Sequence, residues 1–210
     1  MTTSAVMAAP TLRAEDVADS PDFRPLHKLH RVGHDLRYAG SNNFAGTSLY
    51  GSLDCAWLRT EAAEALERAA QWLQGQRPDW RLLVLDALRP QRVQEAIWRD
   101  VAGTPAQSYF ANPISGSIHS WGMAVDATLQ DADGLEVDMG SGYDEMHERS
   151  HPELHAQLLA SGTLRPQHVQ RRELLLQAMV HGGFQGIGNE WWHFDLGDRQ
   201  LVRRTLPRVL

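Results

Sequence analysis

Three features are scarce in this sequence, and each absence narrows what the protein can be. Cys55 is the single cysteine among 210 residues, so no disulfide can form within the chain, as is typical of a reducing compartment. No segment approaches the roughly 18 consecutive apolar residues of a membrane-spanning helix. The N-terminus has neither the basic start nor the apolar stretch of a secretion signal. We therefore expect a cytoplasmic protein with no membrane partner.

Positive charge is also in short supply. The chain has 20 Lys and Arg residues against 26 Asp and Glu residues, a formal net charge of -6. The basic residues are scattered, apart from a short Arg-rich C-terminal end, and a phosphate backbone needs a clustered basic surface. We therefore expect no nucleic-acid partner. The sequence carries no signal for or against a homo-oligomer.

Helical and strand patterns alternate along the chain without a regular βαβ rhythm. The hydrophobic content of 42% suffices for one core, and no linker divides the chain, which predicts a single domain. Apolar spacing predicts helices at 59–74 (with Gly75 as the stop), after Pro90, and at 167–181, and strands at 80–86, 123–129 and 191–196. These elements predict an α+β fold, with helices packed on a mostly antiparallel sheet.

Two short stretches carry the residues of a metal site. In SIHSWGMAVDATL, His119 precedes Asp126 by seven residues, and Asp126 lies on one face of the predicted strand. In NEWWHFD, Glu190 lies three residues before His193. Two imidazoles and one carboxylate suit zinc and leave a fourth position for water, and a nearby carboxylate can take a proton from that water. Glu190 must precede the last strand or sit at a bulge to reach such a site, and the glycines of 184–189 permit that.

Five segments together resemble one peptidase family. They are DLRYAGSNNF, LVLDALRPQR, SIHSWGMAVDATL, MGSGYDEMHERSH and NEWWHF, between about residues 35 and 194. The sequence resembles the VanX-type zinc D-alanyl-D-alanine dipeptidases, relatives of the zinc D,D-carboxypeptidases and of hedgehog-type domains. The resemblance implies one Zn²⁺ per chain in a cleft, held by His119, Asp126 and His193. It also implies Glu190 as the catalytic base and Arg89 as the residue that stabilises the transition state.

The same resemblance implies a substrate and a domain boundary. Asp144 would receive the free amino group of a small D,D-dipeptide, and Ser117 and Tyr38 would line its pocket. The implied reaction is the hydrolysis of D-Ala-D-Ala to two D-alanines by a metal-activated water. Residues 1–22 have no counterpart, so we expect a flexible N-terminal extension followed by a catalytic domain at 23–210.

Two other functions remain open from the sequence. A zinc D,D-carboxypeptidase would act on longer peptidoglycan peptides, but it would require export. A non-catalytic zinc-binding module would use the same fold, but the presence of both Glu190 and Arg89 disfavours it. The residues do not distinguish glycopeptide (vancomycin) resistance from peptidoglycan turnover or D-alanine scavenging as the biological purpose.

The sequence differs from the family in two places, and it also contains two groups of closely spaced histidines. Trp121 stands where the resistance enzymes have a basic residue, and the segment between Arg89 and Ser117 is shorter than theirs, so we expect both to reshape the pocket mouth. A second metal site is conceivable at His27, His30 and His34, but no carboxylate or cysteine follows at a regular ligand spacing. His147, His151 and His155 have helical ligand spacing, but Pro152 interrupts the helix, which favours a structural role for His151 near the site.

Overall fold

A five-stranded sheet forms the centre of the computed structural model, which describes residues 11–210. The strands in this range are β1 (Thr11–Leu12), β2 (Phe23–Pro25), β3 (Val32–His34), β4 (Trp57–Arg59), β5 (Arg81–Asp86), β6 (Ala124–Gln130), β7 (Phe184–Gly186), β8 (His193–Leu196) and β9 (Arg208–Val209). The α-helices are α1 (Thr60–Gln76), α2 (Gln91–Asp100), α3 (His155–Ala160), α4 (Pro166–Gly182) and α5 (Arg199–Thr205). None of the helices in the described range is long and apolar enough to cross a membrane.

The central sheet has the strand order β3-β5-β6-β8-β7. β3 runs parallel to β5, and the other neighbours are antiparallel. The main core joins the sheet to α1 and α4: Leu66 of α1 and Leu175 of α4 belong to the same buried cluster as Val125, Ala127 and Leu129 of β6. The predicted α+β fold with a mostly antiparallel sheet is therefore confirmed.

Helix α1 extends beyond its predicted end. Gly75, expected to stop the helix, lies inside it, and α1 ends at Gln76. The residue before a proline is disfavoured in helical conformation, so Pro78 prevents Arg77 from continuing the helix. The proline, rather than the glycine, was the correct stop signal.

Part of the predicted N-terminal extension is folded against the domain. β1 pairs in parallel with β9, with Thr11 opposite Arg208. Val17 is 1% exposed, in a small cluster with Phe23 and Val209. Residues 11–22 thus contact the C-terminal end of the chain through β1 and Val17, whereas residues 1–10 lie outside the described range.

The contact between α1 and α4 generates a stability prediction. A Cβ at Gly182 would clash with the carbonyl oxygen of Ala65 and lie 3.0 Å from the Cβ of Ala69. We expect Gly182→Ala to lower the free energy of unfolding by about 1–3 kcal/mol, as overpacking does. The control is Gly75→Ala, because that position has open space around it. Urea unfolding of both variants checks this, and equal stability of the two would contradict the close packing.

Candidate active site

The site begins as a row of polar residues across three adjacent strands. Asp86 of β5 lies opposite Asp126 of β6, and Asp126 lies opposite His193 of β8. The register of β5 shifts by one residue between Val84 and Asp86, which is a bulge. Because a one-residue shift exchanges the two faces of a strand, this bulge turns Asp86 towards the other two side chains.

His119 reaches the same point from a 3-10 turn at Ile118–Trp121, just before β6. Gly122 ends the turn with a φ of 67°, and a Cβ there would lie 2.8 Å from the ring of Phe23. His119 is fully buried, and its Nδ1 lies 2.7 Å from the carbonyl oxygen of Ala87. A carbonyl can only accept a hydrogen bond, so Nδ1 carries the proton and Nε2 presents its lone pair to the cavity.

Three electron-rich atoms converge at the cavity floor. Nε2 of His119 lies 3.2 Å from Nδ1 of His193 and 3.3 Å from Oδ1 of Asp126, and the last two atoms are 3.0 Å apart. Nε2 of His193 lies 3.0 Å from Oδ1 of Asp195, so the outer nitrogen donates to a carboxylate. Arg199 in turn donates to Asp195 through Nε at 2.6 Å. The geometry therefore directs both imidazole lone pairs to one point.

The residues present fit a zinc ion. With bonds of roughly 2.0–2.2 Å, two ligand atoms of a tetrahedral zinc site lie about 3.3–3.6 Å apart, close to the three separations. In each histidine, the N–H of the other ring nitrogen donates a hydrogen bond to an oxygen, which is the usual arrangement around a metal. The second oxygen of Asp126 accepts from the Tyr143 hydroxyl at 3.0 Å. His119, Asp126 and His193 could hold the ion and leave one position open.

Arg89 is held rigidly in the wall beside the cluster. Its Nε and Nη2 donate to Oδ2 of Asp86 at 2.9 and 2.7 Å, and its Nη1 donates to Gln94 at 3.1 Å. Its Nη2 also lies 3.4 Å from Asp126, and its guanidinium lies over the ring of Tyr38. Although burial opposes it, the charge of Asp86 and its neighbours raises the pKa of Arg89 well above its usual value. The cavity thus has a fixed positive charge.

Glu190 stands before β8, as the sequence analysis required, and lines the cavity. It is half-buried. Burial is the main reason that its pKa is raised to about 7, with His193 opposing the shift and Asp126 adding to it. A carboxyl group with a pKa near neutrality can both accept and return a proton.

Asp144 is a second carboxylate with an unusual environment. Its backbone is in the left-handed region, with a φ of 56°. One side-chain oxygen accepts from the Tyr38 hydroxyl at 3.3 Å, whereas Oδ2 is buried and has no partner within residues 11–210. Burial, with the charge of Asp126 as the next cause, raises the pKa of Asp144 well above its usual value. A cationic ligand would relieve this cost.

All the residues singled out from the sequence line one cavity of about 210 Å³: Tyr38, Arg89, Ser117, His119, Asp126, Asp144, Glu190 and His193. The sequence motifs did not reveal three further residues that hydrogen-bond to these side chains: Asp86 bonds to Arg89, Tyr143 to Asp126, and Asp195 to His193. The strand pattern could have identified Asp195, because a residue two positions after His193 in a strand lies on the same face.

One expectation about the surroundings needs correction. Trp121 is 1% exposed and is not part of the cavity wall, so it does not shape the mouth directly. The shortened segment does, because Ser108, Tyr109, Phe110 and Ala111 all line the cavity. Neither histidine group forms a metal cluster: His119, Asp126 and His193 are the one set of three His, Cys, Asp or Glu side chains within residues 11–210 whose ligand atoms converge.

Fold and site together define a hydrolase with an active site suited to a divalent metal. A carboxylate with a pKa near neutrality, a fixed arginine and a converging His-Asp-His set share one small cavity. The sequence profile of the family described as D-ala-D-ala dipeptidase matches residues 22–209. The chain belongs to that family.

Curated relatives agree with this assignment. A D-alanyl-D-alanine dipeptidase of Escherichia coli (strain K12) is 40% identical over 163 residues, 77% of this chain and 77% of that protein. One of Synechocystis sp. (strain ATCC 27184 / PCC 6803 / Kazusa) is 35% identical, covering 68% of this chain and 70% of its own length. One of Enterococcus faecium is 34% identical, covering 81% and 88%.

The geometry generates a metal-binding prediction. We expect the purified protein to bind one Zn²⁺ per chain and His119→Ala or His193→Ala to lose it in elemental analysis. Asp195→Asn should weaken zinc binding roughly 10- to 100-fold, the usual effect of removing the partner of a ligand histidine. The matched control is Asp133→Asn, since Asp133 is exposed and its side chain forms no hydrogen bond or ion pair within residues 11–210. Full zinc occupancy in both histidine variants would refute the site.

Proposed function

We propose that this protein hydrolyses the dipeptide D-alanyl-D-alanine to two molecules of D-alanine and uses one Zn²⁺ held by His119, Asp126 and His193. The relatives from Escherichia coli and Enterococcus faecium carry this dipeptidase name. The observation that carries the proposal is the convergence of three lone-pair atoms at 3.0–3.3 Å in a cavity that also contains Glu190 and Arg89.

Zinc, when bound, would act as a Lewis acid and make water at the site far more acidic. The protein contributes the proton transfers. Glu190 lines the same cavity, and its pKa of about 7 in the protein alone lets it take a proton from the attacking water and donate it to the departing amine. A nearby cation lowers this pKa, which favours the charged, proton-accepting form at the start of the cycle.

Arg89 supports the reaction through its fixed charge. Attack on the amide carbonyl creates a negatively charged oxygen, and a donor that is already in place stabilises it without reorganisation. Bonds to Asp86 and Gln94 hold the guanidinium. A guanidinium has five N–H groups; one N–H of Nη1 has no partner within the described residues and remains for a ligand oxygen.

Asp144 favours a dipeptide over longer peptides. An ammonium group bonded to Oδ2 of Asp144 would satisfy an oxygen that is otherwise buried without a partner. An N-acylated or N-extended peptide would leave that oxygen unpaired. The unpaired oxygen of Asp144 disfavours the D,D-carboxypeptidase alternative, and the positions of Glu190 and Arg89 disfavour a non-catalytic module.

Glu190→Gln tests the proton-transfer role. The substitution keeps the shape of the side chain but removes the base, so kcat should fall roughly 10²- to 10⁴-fold. Zinc content and substrate affinity should be nearly unchanged, because Glu190 is not one of the three converging ligands. Steady-state kinetics on D-Ala-D-Ala with elemental analysis measure both quantities. A variant with near-normal kcat would rule out Glu190 as the base.

Asp144→Asn tests the amine-binding role. Removing the charge should lower kcat/KM for D-Ala-D-Ala roughly 10- to 100-fold, the usual worth of a hydrogen bond to a charged group. Zinc content should not change. N-acetyl-D-Ala-D-Ala should be a poor substrate for the parent protein and should be affected little by the substitution. Equal turnover of the free and acetylated dipeptides by the parent would contradict an amine anchor at Asp144.

A further inference from the structure

We propose that Arg203 binds the free carboxylate of the dipeptide and is a second specificity-determining residue of the site. The inference rests on the proposed function, which supplies a zwitterionic substrate. Asp144 accounts for the ammonium end of such a molecule, whereas none of the residues discussed so far accounts for the carboxylate end. A desolvated carboxylate needs a cationic or N–H partner of its own.

Three arginines line the cavity, and two of them are already paired. Arg89 is bonded to Asp86, and Arg199 is bonded to Asp195. Arg203 has no carboxylate within 4.0 Å among residues 11–210. It is the cavity-lining guanidinium whose charge is not neutralised by a direct ion pair in the part of the chain that is described.

The donors of Arg203 are also largely unused. Its Nη2 donates to the carbonyl oxygen of Gly116 at 3.0 Å. Its Nε is buried and has no hydrogen-bond partner within the described residues. A carboxylate bound in the cavity would give this guanidinium the counter-charge that it lacks, through hydrogen bonds in which both partners are charged.

Arg203 and Asp144 line the same cavity but have different neighbours. The Gly116 contact places Arg203 beside Ser117, and Arg203 lies one helical turn after Arg199 on α5. Asp144 instead contacts Tyr38, on the wall formed with Arg89. A negative and a positive side chain that line the same small cavity match the two charged ends of a dipeptide.

Helix α5 is fixed against the rest of the site, so Arg203 is not on a free end. Asp198 caps the helix by accepting from the backbone N–H of Leu201 at 2.7 Å. Just after the helix, the carbonyl of Leu206 accepts from Nε1 of Trp121 at 3.1 Å. The buried Trp121, which does not touch the cavity, therefore holds the segment that carries Arg203.

The test compares two substrates that differ only at the carboxylate: D-Ala-D-Ala and its C-terminal amide, D-alanyl-D-alaninamide. For Arg203→Gln, kcat/KM for the free dipeptide should fall roughly 10- to 100-fold. The rate with the amide, already low in the parent, should change little. Arg203→Lys should lose less kcat/KM for the free dipeptide than Arg203→Gln, because lysine keeps the positive charge. It should still lose some, because lysine lacks the planar geometry of a guanidinium. Release of D-alanine, measured by chromatography, reports both reactions.

The matched control is Arg204→Gln, which removes the same charge from an exposed neighbour on the same helix and should leave both rates unchanged. Thermal unfolding and zinc content of each variant establish that the fold is retained. Equal losses with the two substrates, or no loss with the free dipeptide, would overturn the assignment of Arg203.

A binding measurement separates failure of this inference from failure of the proposed function. The free dipeptide and its amide are titrated calorimetrically into zinc-loaded Glu190→Gln and Glu190→Gln/Arg203→Gln proteins, in which turnover is slowed roughly 10²- to 10⁴-fold. The free dipeptide should bind more tightly than the amide to the first protein and lose this preference in the second. If the parent binds D-Ala-D-Ala with this preference but does not hydrolyse it, only the proposed reaction is refuted. Equal binding of the two ligands to Glu190→Gln protein would refute the role of Arg203.

Discussion

Mutual repulsion among three lone-pair atoms is the constraint that the rest of the site must overcome. Nε2 of His119, Nδ1 of His193 and Oδ1 of Asp126 lie within 3.3 Å of one another. In the protein alone, burial lowers the pKa of His193, but Asp195 and Asp126 outweigh this effect and raise it well above its usual value. Protons and a divalent cation would compete for these atoms, so acid should weaken metal binding.

Buried charges near the cluster are arranged in chains that neutralise one another. Asp86 is fully buried, yet its oxygens accept from Arg89, from the Tyr50 hydroxyl and from the backbone N–H of Ala87. An isolated buried carboxylate would cost several kcal/mol. Arg89 links Asp86 to Asp126, and Asp195 stands between His193 and Arg199 on the opposite side. Outside these pairs, one polar atom of Asp144 and one of Arg203 are buried without a partner within residues 11–210.

Much of the fold and of the site could be predicted from local sequence patterns. The parts that could not be predicted depend on pairing between residues far apart in the sequence. Hydrophobic spacing located α1, β5, α2, β6 and α4, and the sequence motifs around His119 and His193 located the converging ligands. Asp86 escaped because its orientation depends on a bulge in β5. The packing of 11–22 escaped because β1 has two residues, too few for a periodic signal, and its partner lies almost 200 positions away. In the sequence, Arg203 is one of several arginines near the C-terminal end. It stands out only in the structure, because the other two arginines of the cavity are paired with carboxylates and Arg203 is not.

The same contrast between paired and unpaired charges explains how a small cavity can select a substrate. Glu190 and Asp144 both have raised pKa values in the protein alone, chiefly because burial disfavours their charged forms. Asp144 also holds a φ of 56°, a conformation that a side-chain-bearing residue adopts at a cost of order 1–3 kcal/mol. Under the proposed function, a cation at the His-Asp-His cluster would offset part of the burial cost of Glu190, and an ammonium would offset part of that of Asp144. A ligand without a free ammonium would leave the carboxylate of Asp144 unpaired, so the site would discriminate through what it leaves unsatisfied as much as through the contacts it makes.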